Sequence, residues 1–264
     1  MIVQSNRFLA LACVAIPMLL AGCVTETTSG RVQPKEQPEE AASLNVDLGV
    51  SYLRQGDLQS AQSKLEKAVE LDPDNVTAHR ALGLVYQTLG DAKGAEKHYR
   101  KAVSLAPKDP EALNSLGVFL CRNDATVKEA LDSFNRAIAI PQSKYFSNKA
   151  MLNTNAGVCA KNVDLALAES YLRTALNFDS QYPAALLQLA DVAYQRENFL
   201  QSRAFLQRYA AVSKPTPAAL WLSFQVETAM GDRQAADEHA SSLRKDFPGS
   251  VETRMLLELD RNAG

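Results

Sequence analysis

The chain has 264 residues, of which 46% are hydrophobic and 22% are charged, and its formal net charge at pH 7 is −2. This length and composition are sufficient to bury a core. The lack of a basic excess argues against nucleic acid as a partner.

Residues 1–22 predict a cleaved leader that takes no part in the fold. Arg7 gives the leader a positive start, and residues 8–20 form an apolar run that is too short to remain as a membrane-spanning helix. The run ends in Leu-Ala-Gly-Cys, whose cysteine is Cys23, and this segment resembles the signal of bacterial lipoproteins. An ordinary secretory signal that is cut after a small residue is the alternative.

The resemblance to lipoprotein signals implies cleavage before Cys23 and acylation of both its thiol and its new amino group. Two or three acyl chains anchor a protein far more stably than one chain does. Because no aspartate directly follows Cys23, the resemblance also implies sorting to the outer membrane. The protein would then be lipid-anchored there and face the periplasm.

Residues 23–41 predict the lipidated cysteine followed by a flexible tether. From residue 24 onward, this stretch has no aromatic residue, no leucine and no isoleucine, but it has two prolines and several charges. Such a segment cannot bury enough apolar surface to offset the entropy of ordering. We interpret it as a spacer between the anchor and the folded domain.

An internal repeat of 34 residues begins after the tether. Each of the first two copies predicts a first helix, a Gly-Asp turn, a second helix and a proline that ends it, and the later copies follow this pattern less closely. Small residues within each copy allow the two helices to approach closely. Eight residues of the first copy recur in the second: Leu48, Gly49, Tyr52, Gly56, Asp57, Ala61, Ala68 and Pro73 correspond to Leu82, Gly83, Tyr86, Gly90, Asp91, Ala95, Ala102 and Pro107.

This period and these residue classes resemble the tetratricopeptide repeat (TPR). One helical hairpin cannot bury its own apolar faces, so the pattern makes physical sense only if the copies stack on one another. The resemblance implies an all-α fold, namely a right-handed TPR superhelix (an α-solenoid) of six helical hairpins and a C-terminal capping helix.

The TPR domain is predicted to span residues 42–262. Its repeats are placed at 42–75, 76–109, 110–144, 150–182, 183–216 and 217–250, with the capping helix at 250–260. The register slips by one residue at 123–126, which predicts a longer turn, and an insertion at 141–149 precedes repeat four. Phe224 occupies a position that is small in the other repeats. The capping helix is expected to begin after Ser250 and to cover the end of the stack with Met255, Leu256 and Leu259.

The four cysteines of the chain divide into three groups. Cys13 leaves with the leader and Cys23 is the lipidation site, so Cys121 and Cys159 remain together in an oxidising compartment. Their repeat phase places them near the ends of the first helices of repeats three and four, which are neighbours in a stack. A disulfide between them is therefore expected, and two buried free thiols are the alternative.

The sequence does not predict an enzyme. Its histidines, His79, His98 and His239, are far apart and show no metal-ligand spacing, and no phosphate loop, GxSxG or HExxH motif occurs. We therefore expect neither a catalytic site nor a cofactor or metal. A helical array without such motifs predicts a protein-binding module.

In TPR proteins, the first helix of each repeat lines a concave groove through the second, fifth, ninth, twelfth and thirteenth positions of the repeat. Here those positions predict an apolar groove with polar edges, which suits an amphipathic helix or an extended peptide. TPR proteins that clamp a terminal carboxylate carry Lys or Arg and Asn where this chain has Val46 and Val50, which argues against that ligand. The alternative is that Val50, Leu84 and Val118 belong to the core between repeats. The predicted partner-binding residues are Val46, Val50, Leu53, Arg54, Arg80, Leu84, Gln87, Asn114 and Val118.

The Leu-Ala-Gly-Cys signal, the short tether, six repeats, the insertion after repeat three and the cysteines of repeats three and four together resemble the type IV pilus biogenesis lipoproteins of the PilF/PilW family. The resemblance implies a pilotin, which binds the pilus secretin subunit and promotes its localisation and multimerisation in the outer membrane. It also implies a role in pilus biogenesis and twitching motility. We expect a monomer.

The lipoprotein signal and repeats one and two are shared with other TPR lipoproteins. The alternative function is therefore a general periplasmic TPR scaffold that recruits peptidoglycan enzymes or outer-membrane assembly factors. An altered cell wall in a null mutant would favour this alternative.

Overall fold

The computed structural model describes residues 38–141 and 148–263. This part of the chain forms thirteen α-helices and one short 3₁₀ helix and contains no strand, which confirms the predicted all-α TPR architecture. The predicted leader at 1–22, the lipidation site Cys23 and most of the tether lie outside the described residues.

The first twelve helices form six hairpins, and a thirteenth helix follows them. In chain order they are α1 (Pro38–Gln55), α2 (Leu58–Leu71), α3 (Val76–Thr88), α4 (Ala92–Leu105), α5 (Pro110–Leu120), α6 (Val127–Ala139), α7 (Lys149–Ala160), α8 (Leu165–Phe178), α9 (Pro183–Gln195), α10 (Phe199–Val212), α11 (Pro217–Met230), α12 (Arg233–Asp246) and α13 (Val251–Ala263).

Helix α1 begins at Pro38, so placing the start of the domain at residue 42 was wrong by four residues. The prediction assigned these residues to the tether because of their proline and charges. Proline is well suited to the first turn of a helix, where no N–H is needed. Glu39 and Glu40 then lie in the first turn, where negative charge interacts favourably with the helix dipole.

The turns inside the first, second and sixth hairpins follow from a Gly-Asp pair. Gly90 has a φ of 84°, a conformation that residues with a Cβ atom rarely adopt. The Asp91 side chain then caps α4 by accepting a hydrogen bond from the backbone N–H of Gly94, at 2.9 Å. Gly56 and Gly231 have the same left-handed backbone in the first and sixth hairpins. Local sequence therefore determines where these helices end and begin.

A glycine on the first helix and a large side chain on the second helix close most hairpins. A Cβ atom added to Gly83 would lie 2.7 Å from the ring of Tyr99, which is shorter than real contacts allow. The other hairpins of this kind pair Gly49 with Leu65, Gly117 with Phe134 and Gly157 with Leu172. The close approach of the paired helices therefore depends on the missing side chain.

The sixth hairpin reverses the sizes of these two residues. Phe224 replaces the small residue on α11, and Ala240 stands on α12 where other repeats have a large residue. Phe224 packs against the cluster that contains Ala240, Leu243 and Leu256. Exchanging the large and the small side chain keeps the volume between the helices filled.

The hairpins stack so that their first helices lie on the inner side. The first helices α1, α3, α5, α7, α9 and α11 each contact the next first helix, and α11 contacts α13. Within the described ranges, the second helices of neighbouring hairpins do not pack on one another to a comparable extent. The stack therefore curves, and the first helices line its concave face.

The predicted slip in repeat three is a 3₁₀ helix at Asp124–Thr126, inserted between α5 and α6. The hydroxyl of Thr126 donates hydrogen bonds to the backbone carbonyls of Leu120 and Asn123. The longer turn is thereby fastened to the end of α5. The connection between α6 and α7 includes residues 142–147, which are not described.

Helix α13 covers the end of the stack only in part as predicted. Ser250 caps it by accepting a hydrogen bond from the N–H of Thr253 at 3.0 Å, and Leu256 is fully buried. Met255 is half-buried, but Leu259 is exposed, so its assignment to the covered face was wrong. A terminal helix has neighbours on one side alone, and its last turns contribute little to the core.

Among the helices that the structure describes, none combines the length and the apolar character that crossing a bilayer requires.

Gly83→Ala tests whether the hairpins depend on close approach. The added methyl group would meet the buried ring of Tyr99, and we expect the free energy of unfolding to fall by about 1–3 kcal/mol despite the better helix propensity of alanine. Urea unfolding measures this change. Gly249→Ala is the control, since its added Cβ meets no atom within 4 Å, and it should change stability by less than about 0.5 kcal/mol. Equal stability of the two variants would contradict the packing argument.

Candidate peptide-binding groove

A row of exposed apolar side chains runs along the concave face. Leu84 on α3, Val118 on α5 and Val158 on α7 occupy the same position of three successive repeats and are 41%, 40% and 38% exposed. We call these three residues the apolar row. Because first helices of neighbouring hairpins contact each other, the row is continuous from repeat two to repeat four.

Two predicted residues, Leu84 and Val118, belong to this row, and their exposure contradicts the alternative that they are core residues. Val158 was missed because the predicted groove stopped at repeat three. The signal that identifies it was present in the sequence, since it directly follows Gly157 just as Leu84 follows Gly83.

Val46 does not line the groove, and predicting it there was wrong. It is 6% exposed and packs with Ala68 of α2 and Ala78 of α3. Val50 and Leu53 are half-buried and pack against the core between repeats one and two. Among the described helices, α1 packs against α2 and α3, and these side chains turn into that contact.

Several predicted polar residues link neighbouring repeats. Arg80 forms an ion pair of 2.5 Å with Glu111, which joins repeat two to repeat three. Asn114 accepts a hydrogen bond of 2.9 Å from Asn155, which joins repeat three to repeat four. These contacts hold the edges of the groove in a fixed relation to each other.

The two remaining polar predictions differ in their contacts. Gln87 is half-buried and accepts a hydrogen bond of 3.3 Å from the hydroxyl of Tyr99, within the second hairpin. Arg54 is exposed at the end of α1. Of these two, Arg54 is the side chain that is free to meet a partner.

The apolar row ends at a polar contact in repeat five. The residue at the same repeat position there is Asp191, which accepts a hydrogen bond of 2.5 Å from the ammonium group of Lys161. Lys161 also donates to the side-chain oxygen of Gln188 at 3.0 Å. The apolar row is therefore confined to repeats two to four.

A cavity of about 370 Å³ lies where the row passes from repeat three to repeat four. Val118, Val158 and Phe134 provide its apolar surface, and Arg122 and Asn155 stand among its polar lining residues. Its volume is within the range of small-molecule and side-chain binding sites. The cavity can therefore accept one or two side chains of a bound segment.

The disulfide between Cys121 and Cys159 forms part of the wall of this cavity. Cys121 is the C-cap residue of α5, Cys159 is buried in α7, and their Cα atoms lie 5.5 Å apart. The bond links the two hairpins on either side of the interrupted register. It holds Val118 and Val158 on one continuous surface.

Two histidines that are distant in sequence meet at the start of repeat two. The Nδ1 atoms of His79 and His98 lie 2.9 Å apart, and Nε2 of His79 lies 3.0 Å from the carbonyl oxygen of Pro73. Because that oxygen can only accept, His79 carries its hydrogen on Nε2, and its Nδ1 accepts from the N–H of His98. Burial lowers the pKa of His79 and lowers that of His98 to about 4, so both rings are neutral at pH 7.

This histidine pair is a structural contact. The His98 ring stacks on Tyr86, whose hydroxyl donates to Glu66 of repeat one at 2.8 Å. Within the described ranges, no group of three or more histidine, cysteine, aspartate or glutamate side chains is arranged to hold a metal ion.

Comparisons with known proteins agree with this architecture. The sequence model of the tetratricopeptide repeat family matches residues 46–110 and 81–144. The type IV pilus assembly protein PilF of Pseudomonas aeruginosa is 27% identical over 234 residues, which cover 88% of this chain and 91% of PilF.

Two solved structures are similar along most of the chain. The crystal structure of PilW, described as a widely conserved type IV pilus biogenesis factor, has a TM-score of 0.74 and 28% identity, and the match covers 82% of this chain and 98% of PilW. The structure of Pseudomonas aeruginosa PilF has a TM-score of 0.69 and 26% identity, with 84% of this chain and 98% of that chain covered.

The stacked hairpins and the family match define the class, and this chain is a TPR protein with a groove for protein–protein contact. Its similarity to PilF and PilW extends over 98% of each solved chain. The chain is therefore similar to type IV pilus biogenesis TPR proteins over most of its length.

Replacing both bonded cysteines, Cys121→Ser with Cys159→Ser, should lower the free energy of unfolding by about 3–4 kcal/mol. The physical reason is that the bond, which joins residues 38 positions apart, restricts the unfolded chain. Urea unfolding with and without dithiothreitol measures the effect. The reductant should destabilise the wild type and leave the double-serine variant unchanged. A wild type of equal stability before and after reduction would contradict the bond.

Proposed function

We propose that this protein is a pilotin that binds the type IV pilus secretin and promotes its localisation and multimerisation in the outer membrane. The similarity to PilF over 88% of the chain carries the proposal, because it extends over 234 residues rather than over one repeat. Secretin assembly is then required for pilus biogenesis and twitching motility.

The apolar row supports a peptide-binding role within that function. A bound helix or extended segment would remove Leu84, Val118 and Val158 from water, and each Å² of apolar surface so buried contributes about 25 cal/mol. The links between repeats at Arg80–Glu111 and Asn114–Asn155 hold the row in place, so little ordering of the groove is needed on binding.

The proposal also includes a lipid anchor at Cys23 and a position at the outer membrane facing the periplasm. The Leu-Ala-Gly-Cys sequence and the absence of an aspartate after Cys23 support it. An anchored groove is concentrated at the membrane where the secretin is to insert, which favours capture of secretin subunits there.

A null mutant separates this function from that of a general envelope scaffold. Loss of secretin multimers and of twitching, with normal cell shape and normal levels of other outer-membrane proteins, supports the pilotin. Normal secretin multimers together with an altered cell wall would overturn it in favour of the scaffold.

Leu84→Glu and Val118→Glu should each reduce the capture of secretin from envelope extracts by about tenfold or more. A carboxylate in the row would lose its hydration against the apolar face of the partner, while the fold should tolerate it because both positions are already about 40% exposed. Leu200→Glu is the matched control, since Leu200 is 71% exposed on α10, a second helix outside the groove. Thermal unfolding of all three variants checks the fold. Unchanged capture by both groove variants would rule out this surface.

Cys23→Ala should release the protein from the membrane fraction and leave the secretin outside the outer membrane. Without its thiol, residue 23 cannot be acylated, and the chain loses its only predicted anchor. Cell fractionation and secretin immunoblots measure both effects. Cys13→Ala, a change within the predicted leader, is the control and should leave the protein membrane-bound. A Cys23→Ala protein that stays in the outer membrane would contradict the anchor.

A further inference from the structure

The cavity between repeats three and four has an uneven charge. Its lining residues include two cations, Arg122 and Lys161, and no carboxylate. Lys161 is neutralised from outside the cavity by Asp191 at 2.5 Å. Arg122 is exposed, and none of the described carboxylates lies within ion-pair distance of its guanidinium group.

Arg80 on α3 is a third cation at the groove positions, and it too differs from Arg122. Arg80 is paired with Glu111 at 2.5 Å, so its charge is also balanced within the protein. Of these three cations, Arg122 is therefore the one that forms no ion pair with a described carboxylate. It stands directly after Cys121, whose disulfide holds the end of α5 against α7.

An arginine beside apolar surface is a strong site for a carboxylate. The guanidinium group has five N–H donors and is weakly hydrated, and its hydrogen bonds to a carboxylate are roughly twice as strong as neutral ones. Val118 and Val158 lie in the same cavity, so a partner that covers them also removes water from around Arg122. The cavity therefore favours an acidic group with apolar neighbours.

Asn155 lines the cavity and is bonded to Asn114, and this pair can bind an internal peptide group of a partner polypeptide. One hydrogen bond of 2.9 Å joins the two amides, which leaves further N–H donors and oxygen lone pairs on both. An internal peptide group needs a donor and an acceptor, whereas a terminal carboxylate only accepts. The pair therefore complements an internal backbone amide, whichever way each side-chain amide is turned.

We propose that the cavity binds an internal segment of a partner polypeptide that places an aspartate or glutamate side chain on Arg122 and apolar side chains on Val118 and Val158. The proposal rests on the proposed function only in taking a polypeptide as the occupant of the groove. Arg122 then determines which segment is chosen, and the apolar row supplies most of the contact area.

The test uses the mature full-length protein in detergent micelles and a phage-displayed library of random 12-residue peptides. Selection on the wild type should enrich peptides in which Asp or Glu stands between apolar residues. For the peptides selected, Arg122→Gln should weaken binding by about tenfold, and Arg122→Lys should retain part of the affinity. Arg54→Gln is the matched control, since Arg54 is the exposed arginine at the same position of repeat one and does not line this cavity.

Changes in the peptide complete the test. Replacing the acidic residue of the peptide by the matching amide should weaken its binding to the wild type about tenfold. The same replacement should not further weaken binding to the Arg122→Gln protein. Amidating the C-terminus of the peptide should leave its affinity unchanged.

An Arg122→Gln protein that binds as the wild type does, or a selection without acidic peptides, overturns the proposal. Loss on C-terminal amidation overturns it as well, in favour of a terminal carboxylate. Secretin capture by the wild type is measured separately, so a failure of the proposed function is distinguishable from a failure at Arg122.

Discussion

Most hairpins in this protein depend on one contact, in which a glycine of the first helix meets a large side chain of the second. Gly83 against the ring of Tyr99 is one example, and a single added carbon would separate the helices. Close pairing leaves each hairpin with apolar faces that it cannot bury alone, so the hairpins stack. Because first helices then contact each other while second helices do not to a comparable extent, the stack acquires a concave face.

The groove is a direct consequence of that stacking. Where the glycine of α3, α5 or α7 is turned toward the second helix, the following residue points to the concave side, and these residues are Leu84, Val118 and Val158. The row ends at Asp191, whose contact with Lys161 replaces apolar surface by a paired charge. A peptide-binding surface therefore needs no structural element beyond the repeat. It needs only an apolar residue at the repeat position that follows the glycine.

The features that distinguish one part of the groove occur where the repeat departs from its regular pattern. The 3₁₀ helix at Asp124–Thr126 follows the end of α5 inside repeat three, and the Cys121–Cys159 disulfide and the cavity beside Arg122 join that end of α5 to repeat four. Residues that follow the repeat pattern pack the hairpins together. Where the pattern is interrupted, side chains are available for other contacts. The disulfide joins the two hairpins covalently at this point.

The sequence by itself determined the helices, their turns and the number of hairpins, because glycine, proline and aspartate act on the backbone within a few residues. It also indicated the cysteine pair and two members of the apolar row. Tertiary structure alone decided that Val46 is buried while Leu84 is exposed, although the two lie close in the pattern of the repeat. It likewise brought His79 to His98 and left Arg122 without an ion pair to any described carboxylate. The exposure of a side chain and the pairing of its charge depend on residues from neighbouring repeats. The sequence pattern of one repeat specifies the helices of that repeat, but it does not specify which side chains the next hairpin packs against them.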